Sequence, residues 1–204
     1  MVHPRLDTLT FLFTDIVGSA RRWEEQFAAM SAALTRHDAL MRAVVAYHDG
    51  YVFKTVGDGF CVAFDLPIAA LTAAIAAQRV LLAEDWHGCG AGFAPLRVRM
   101  ALHTGTAEAR LGDFVGPPVN RAARLLETGH GGQVLLTQAT HLLVVDRLPP
   151  GVTLHPLGER RLRDLPMREL VAEVLAPGLP DHFPAARTVV TRRQRRLVTT
   201  GRRR

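Results

Sequence analysis

The first part of the chain alternates between three patterns of apolar and polar positions. Residues 9–14 form a short apolar run, which predicts a buried β-strand. Apolar side chains then recur near helical spacing, which predicts one long helix over residues 20–48. Two β-favouring runs flank Gly57-Asp58-Gly59, so this segment is predicted to be the turn of a β-hairpin.

Helical and strand patterns continue to alternate beyond the hairpin. The strand predicted at residues 96–103 alternates apolar and polar residues, which indicates one buried face. The other predicted elements are helices at 67–85 and 119–128, a short link at 104–112, a strand at 133–136, a helix ending near 145, and strands at 153–165 and 169–175. The order β-α-β-β-α-β predicts an α+β, ferredoxin-like fold, in which helices pack on a central, mostly antiparallel sheet.

Charge divides the chain into a body and a tail. Eight of the 25 basic residues and none of the 19 acidic residues lie within residues 187–204, so the rest of the chain is slightly acidic. We predict one domain over residues 1–180, which is long enough for a full core, and a basic, disordered tail over residues 181–204. The tail lacks interleaved aromatic residues that could stack on bases, so we expect no specific nucleic-acid partner and at most a weak contact with an anionic surface.

Cysteine spacing and apolar run length bear on location. Cys61 and Cys89 have neither metal-binding nor redox spacing, which is typical of a reduced, intracellular protein. Residues 1–7 lack the apolar core of a signal peptide, and no window reaches the length of a membrane span. These features predict a cytoplasmic protein.

Two aspartates follow elements that could be neighbours in the sheet. Asp15 ends the first strand and Asp58 lies in the hairpin turn, so their carboxylates would then converge at one edge. Paired carboxylates suit hard divalent cations such as Mg²⁺ or Mn²⁺, although each aspartate alone is better explained as a turn or capping residue. The segment after Asp15 leads through Gly18 to Ser19, the predicted N-cap of the long helix, and a helix N-terminus favours phosphate. Together these features indicate a nucleoside triphosphate site.

Three further polar residues stand out by type or spacing. Lys54 is the only lysine in an arginine-rich chain, and a compact ammonium is not interchangeable with a guanidinium. The hairpin alone is equally consistent with a surface lysine that is there by chance. Asn120 and Arg124 share one face of a predicted helix at i, i+4. An amide and a guanidinium can orient a sugar and stabilise phosphoryl charge, but both types are common on exposed helices. Residues 116–118, Gly-Pro-Pro, fix the approach to that helix.

Three motifs, taken together, resemble the catalytic domain of the class III nucleotidyl cyclases, the adenylate and guanylate cyclase family. They are FTDIVGS at residues 13–19, KTVGDG at 54–59 and DFVGPPVNRAAR at 113–124. The resemblance extends over residues 9–175. The chain departs from the family pattern at two places. The segment from Gly105 to Asp113 is short, which resembles a short-arm bacterial subgroup, and Ala20 stands where threonine is frequent in the family.

The resemblance implies a role for each matching position. The metal-binding positions, for two divalent ions (Mg²⁺ or Mn²⁺) per site, are Asp15, Asp58 and Ile16. The purine-binding positions are Lys54 and Asp113. The catalytic positions are Asn120, which would orient the ribose, and Arg124, which would stabilise charge on the α-phosphate. The triphosphate-binding positions are Val17, Gly18, Ser19, Arg161 and Arg163.

The resemblance also implies a head-to-tail homodimer with shared sites. The metal-binding aspartates would come from one chain, and the purine-binding residues, Asn120 and Arg124 from the other. A lysine donor and an aspartate acceptor match N1 and N6 of adenine and mismatch guanine, so the expected reaction converts ATP to 3′,5′-cyclic AMP and pyrophosphate. Guanylate cyclase activity is one alternative. Another is a non-catalytic, nucleotide-binding regulatory module, which predicts the loss of a catalytic position, and none is lost.

Overall fold

A computed structural model describes residues 6–184. The strands are β1 (Leu6–Ile16), β2 (Tyr51–Val56), β3 (Gly59–Phe64), β4 (Val98–Arg110), β5 (Asp113–Val115), β6 (Val134–Thr137), β7 (Thr153–Arg160) and β8 (Glu169–Leu175). The helices are α1 (Ser19–Glu25), α2 (Phe27–Tyr47), α3 (Pro67–Ala83), α4 (Pro117–Leu126) and α5 (Gln138–Val144), with 3₁₀ turns at Trp86–Cys89 and Val145–Arg147.

The strands form one sheet in the order β2-β3-β1-β4-β6-β8-β7, with β5 paired to β4. Every pairing is antiparallel except that of β4 with β6. The predicted α+β architecture with a mostly antiparallel sheet is confirmed. Because β3 lies beside β1, the hairpin that carries Asp58 is a neighbour of the strand that carries Asp15.

Alternating residues of β1 point to opposite faces of the sheet, as the pleat requires. Leu12 belongs to the larger core cluster, which the sheet shares with α2 and α3. Phe11 and Phe13 point the other way, into a smaller cluster that includes Ala122 of α4. Asp15 has the same parity as Phe11 and Phe13, so it lies at the end of β1 on the face that α4 covers.

The prediction of one long helix over residues 20–48 is wrong in one respect, because the helix is interrupted at Gln26. This residue has φ −144° and ψ 50°, which ends α1 and begins α2. None of the side chains of α1 is fully buried, whereas α2 buries a stripe that includes Met30 and His37. The break lets α2 turn onto the core while α1 stays at the surface, with Trp23 and Phe27 in contact across the corner at 5.4 Å between ring centroids.

Strand β4 is longer and more deeply buried than predicted. It pairs with β1 from Ile16↔Val98 to Leu6↔Glu108, so most of residues 104–112, predicted to be a link, belong to the sheet. Its central residues are buried because β4 lies between β1 and β6 with packing on both faces. Leu111 and Gly112, both with positive φ (53° and 81°), form the tight turn to β5.

The C-terminal part of the domain also differs in detail. Strand β7 ends at Arg160, so the residues from 161 to 168 form a loop rather than the end of the strand predicted at 153–165. Residues 181–184 contain no buried side chain, and the arginines of residues 187–204 lie outside the described residues. Between residues 6 and 184 no helix is both long and apolar enough to cross a membrane.

Candidate active site

The structure brings Asp15 and Asp58 to the same edge of the sheet. The backbone N–H of Phe60 donates to Oγ1 of Thr14 at 3.0 Å, which ties the hairpin to the end of β1. At Gly59 a Cβ atom would lie 2.5 Å from the carbonyl oxygen of Thr14, so only glycine lets the turn approach this closely. The convergence predicted from the sequence is therefore present, with a specific glycine that permits it.

The surroundings of Asp58 favour a bound cation. Burial raises the pKa of the Asp58 carboxyl, a hydrogen bond from Ser19 opposes that rise, and the negative charge of Asp15 adds to it. Its Oδ2 atom is buried and has no hydrogen-bonding partner within residues 6–184. A buried, unpartnered carboxylate oxygen is costly unless a positive charge or donor meets it.

The composition of the pair is also compatible with a magnesium-type site. No group of three or more His, Cys, Asp or Glu side chains surrounds a common point in the described part of the chain. Mg²⁺ commonly binds through one or two carboxylates, with substrate phosphates and water as the remaining ligands. The Asp15–Asp58 pair fits that arrangement.

Arg99 is a basic partner of Asp15, and no motif in the sequence singles it out. Asp15 and Arg99 are register partners on β1 and β4. Both Nε (2.8 Å) and Nη2 (2.7 Å) of Arg99 contact Oδ2 of Asp15. The remaining Nη1 donates to the backbone carbonyl of Glu127 at 3.3 Å, just beyond α4. Arg99 thus joins the end of β1 to the end of α4.

The loop between β1 and α1 leaves backbone accessible beside the two aspartates. Ile16, the third residue in the predicted metal set, is the last residue of β1, and its side chain is buried. The N–H of Val17 donates to the Arg97 carbonyl at 2.9 Å, so that amide is already bonded. Gly18 has φ 76° and nothing within 4 Å of where a Cβ would be.

Gly18 rather than Ser19 occupies the N-cap of α1, so the predicted cap is wrong. The Ser19 side chain bonds to Asp58 instead.

Lys54 and Asp113, the two positions predicted to bind the purine, contact each other. Nζ of Lys54 lies 2.9 Å from Oδ2 of Asp113. Each lies on a different strand, β2 and β5, and the Tyr51 hydroxyl helps to hold the two together by donating to the Gly112 carbonyl at 3.1 Å. Their hydrogen bond raises the pKa of Lys54 and lowers the pKa of Asp113, so both stay charged. The N–H of Phe114 donates to the other oxygen of Asp113 at 2.7 Å, which fixes the carboxylate.

Helix α4 carries Asn120 and Arg124 as predicted. Two prolines form its first turn, and a Cβ at Gly105 of β4 would come within 2.8 Å of Pro118, so the helix start is seated closely on the sheet. Asn120 is exposed on this helix, and Arg124, one turn later, is partly buried.

The two arginines predicted to bind the triphosphate have different environments. Arg163, in the loop between β7 and β8, contacts the same Glu127 carboxylate as Arg124. Arg161, two residues earlier, is exposed. The structure therefore joins Arg163 to Arg124, and the sequence could have suggested Glu127 only as an i+3 neighbour of Arg124.

Contacts within one chain link some of the predicted residues into two groups. In the first, contacts run from Asp15 through Arg99 and Glu127 to Arg124. In the second, Lys54 and Asp113 bond to each other. Across residues 6–184, no hydrogen bond or ion pair links this second group to Asp15 or Asp58.

Comparison with known proteins gives a consistent result. A family model described as the adenylate and guanylate cyclase catalytic domain matches residues 1–165. An uncharacterized protein of Mycobacterium tuberculosis is 36% identical over 187 residues, which cover 91% of this chain and 62% of that protein. This chain thus spans less than two thirds of that relative's length.

Two further similarities concern named cyclases. An adenylate cyclase of Lachancea kluyveri is 34% identical over 157 residues, or 67% of this chain and 8% of that protein. A solved structure of an adenylate cyclase from Trypanosoma brucei, described in its monomeric state, is 26% identical, with a TM-score of 0.79 over 90% of this chain and 96% of that one.

Proposed function

The chain belongs to the adenylate and guanylate cyclase catalytic domain family, and from this we propose that it is an adenylate cyclase. Domains of this family bind a nucleotide substrate, commonly dimerise and generally depend on divalent metal ions. The proposed reaction converts ATP to 3′,5′-cyclic AMP and pyrophosphate by in-line attack of the ribose 3′-hydroxyl on the α-phosphate. The observation that carries the choice of ATP is the 2.9 Å contact between Lys54 and Asp113.

Lys54 and Asp113 support adenine over guanine by their hydrogen-bonding pattern. Adenine accepts at N1 and donates from N6, so an ammonium and a carboxylate held side by side can satisfy both positions. Guanine donates from N1 and accepts at O6, which would set donor against donor and acceptor against acceptor. A site built for one pattern discriminates strongly against the reverse pattern, because the mispaired polar groups lose their bonds to water without replacement.

We assign the metal-binding role to Asp15, Asp58 and Ile16. The unpartnered Oδ2 of Asp58 and the closeness of the two carboxylates support this assignment. Two bound divalent ions would supply Lewis acidity, which lowers the pKa of a ribose hydroxyl and neutralises phosphate charge. Asp15 would be shared between such an ion and Arg99, whose guanidinium is already in place.

The remaining residues would bind the sugar and the phosphates. Asn120 would orient the ribose by hydrogen bonding, and Arg124 would stabilise the charge that develops on the α-phosphate. Gly18, with open space around it, supports close approach of phosphate to the backbone there, beside Val17 and Ser19. The terminal phosphates would meet Arg163, which is already beside Arg124, with exposed Arg161 nearby in sequence. All of these steps depend on positioned charge and donors rather than on a covalent intermediate.

We further propose that two chains pair head to tail and share each site. The separation of the Lys54–Asp113 pair from the Asp15–Asp58 pair within one chain supports this arrangement, although Arg124 is linked to Asp15 of its own chain through Arg99 and Glu127. In such a dimer, Asp15 and Asp58 of one protomer would face the Lys54, Asp113, Asn120 and Arg124 positions of its partner. Two-fold symmetry would then produce two equivalent sites.

Product identification tests the proposed activity. Purified protein would be incubated with ATP or GTP in the presence of Mn²⁺ or Mg²⁺, and the nucleotides would be separated and identified by mass. We expect cyclic AMP and pyrophosphate in equal amounts from ATP, with an Asp58→Asn variant as the inactive control. Cyclic GMP as the main product would overturn the base assignment, and the absence of any cyclic nucleotide with a folded, dimeric protein would overturn the enzyme assignment.

A further inference from the structure

One carboxylate oxygen bridges two arginines that come from distant parts of the chain. Oε1 of Glu127 lies 2.7 Å from Nη1 of Arg124 and 2.6 Å from Nη2 of Arg163. Arg124 precedes Glu127 by three residues, at the end of α4, whereas Arg163 follows it by 36 residues, in the loop between β7 and β8. Because both nitrogens contact the same oxygen, the two guanidinium groups are held close to each other.

A second, weaker carboxylate completes this cluster. Oδ2 of Asp164 lies 3.3 Å from Nη2 of Arg124 and 3.4 Å from Nε of Arg163. The Asp164 side chain is 67% exposed, whereas that of Glu127 is 28% exposed. The contacts of Asp164 are longer and more screened by solvent than those of Glu127, so Glu127 is the principal bridge.

Backbone packing brings the two arginines within reach of that bridge. Leu125 and Leu162, the residues next to Arg124 and Arg163, are both almost fully buried in one hydrophobic cluster. The cluster fixes α4 and the β7–β8 loop against each other but leaves the two long arginine side chains several rotamers each. Glu127 selects among those rotamers.

Two adjacent guanidinium groups repel each other, so each side chain would turn away unless an acceptor atom bonded to both fixes its position. Oε1 of Glu127 is that acceptor, and it keeps Arg124 and Arg163 at a separation that neighbouring phosphoryl groups of one triphosphate can span. Its own backbone carbonyl also accepts from Arg99 at 3.3 Å, so the position of the bridge is fixed relative to Asp15 as well. Glu127 thus contacts three arginines of its own chain: Arg124 and Arg163 through its side chain, and Arg99 through its backbone carbonyl.

We propose that Glu127 is a positioning residue for the cyclase reaction, which holds Arg124 and Arg163 as a pair that receives the triphosphate. This inference rests on the proposed function, since that function gives the two arginines their phosphate-binding roles. The important property of Glu127 is the place of its Oε1 atom rather than its negative charge. Partly exposed ion pairs contribute little to stability, so stability alone does not account for the bridge.

Two conservative variants separate the position of the oxygen from its charge. Glu127→Gln keeps the chain length and an acceptor oxygen but loses the charge. Glu127→Asp keeps the charge but withdraws it by one methylene, too far to bridge both arginines. Glu127→Ala removes both properties. The matched controls are Glu84→Gln and Glu84→Asp, because Glu84 also bonds an arginine, Arg36, at 2.9 Å and 3.0 Å, away from the proposed site.

Two readouts would be compared across these proteins: kcat and KM for ATP with Mn²⁺, and calorimetric binding of inorganic tripolyphosphate with Mg²⁺. We expect Glu127→Gln to retain most of the wild-type kcat and tripolyphosphate affinity. Glu127→Asp and Glu127→Ala should lose about 10- to 100-fold in kcat, as misplaced catalytic groups do, and should bind tripolyphosphate more weakly. The Glu84 variants should match the wild type in both measurements.

Three results would overturn the inference. Equal activity and affinity in all Glu127 variants would show that the bridge has no role. Loss in Glu127→Gln with retention in Glu127→Asp would show that charge rather than position matters. A gain of activity in any variant would show that Glu127 restrains the arginines. If the wild type forms no cyclic nucleotide, the proposed function fails, and the order of tripolyphosphate affinities still tests Glu127 by itself.

Discussion

Asp15 and Arg99 face each other across β1 and β4, and two nitrogens of the arginine contact a single carboxylate oxygen at 2.8 Å and 2.7 Å. The same guanidinium donates to the backbone carbonyl of Glu127. An aspartate proposed to bind metal is therefore connected, through one side chain, to the end of the helix that carries Arg124. A movement of the end of α4 would therefore displace Arg99, the ion-pair partner of Asp15.

The first prediction concerns the two proposed metal ligands. Asp15→Asn and Asp58→Asn should each lower cyclase activity by at least about 100-fold, because each removes a charge that would hold the cations and neutralise the phosphates. Activity would be measured over a range of Mn²⁺ concentrations, and circular dichroism would confirm an intact fold. Asp65→Asn, an exposed aspartate after β3, is the control. Wild-type turnover with an unchanged metal requirement in either variant would contradict the metal assignment.

The second prediction concerns base selection. The double substitution of Lys54→Glu with Asp113→Cys inverts the donor and acceptor pattern, so it should weaken selection for ATP and admit GTP. The ratio of kcat/KM for the two nucleotides measures the change. An unaltered preference for ATP would show that the 2.9 Å pair does not contact the base.

The third prediction follows from a buried histidine in the centre of the sheet. Nδ1 of His103 lies 2.7 Å from Oγ1 of Thr137, and burial together with the positive charge of Arg121 lowers the pKa of His103 from 6.5 to about 4. Between pH 6.5 and about 4, His103 is therefore protonated in the unfolded chain but neutral in the folded chain. The stability from neutral His103 is fully present above pH 6.5 and is lost as the pH falls through about 4.

Urea unfolding of the wild type and of His103→Gln at several pH values tests this. As the pH falls from 6.5 to 4, the free energy of unfolding of the wild type should decrease by about 3 kcal/mol more than that of the variant. Above pH 6.5 the free energies of unfolding of the two proteins should depend on pH in the same way. Identical slopes throughout the acidic range would show that His103 accepts a proton readily in the folded protein.

Local sequence predicted those parts of the site that depend on local structure. The turn at Asp58 follows from its flanking glycines, of which Gly57 has φ 61°. Helix α4 follows from the prolines at its start, and the i, i+4 spacing then places Asn120 and Arg124 on one face. The break at Gln26 was not predictable in the same way, because neither glycine nor proline marks it.

The contacts that join these parts depend on long-range register. Arg99 contacts Asp15 across 84 residues, and only the pairing of β1 with β4 decides which residue of β4 lies opposite. Likewise, Arg163 meets Glu127 because the leucines beside the two arginines pack in one cluster. Side-chain type and spacing do not contain that information, so the motifs suggested the residues but not the network between them.

Complementation between two inactive variants measures most directly whether two chains of this protein share an adenylate cyclase site. Asp15→Ala lacks a metal ligand in both sites of its homodimer, and Asn120→Ala lacks the ribose-orienting group in both. In a mixed dimer, one site takes Asp15 and Asn120 from the chains that retain them, and the other site carries both lesions. A chain with both substitutions, mixed with either single variant, is the matched control, because no pairing then yields a complete site.

Cyclic AMP formation would be measured after subunit exchange, which labelled protomers would verify. With random pairing, half of the dimers are mixed and each has one complete site, so the mixture should recover about a quarter of wild-type activity while the control stays inactive. A mixture as inactive as its components, despite demonstrated exchange, would contradict the shared site and require a complete site within one chain.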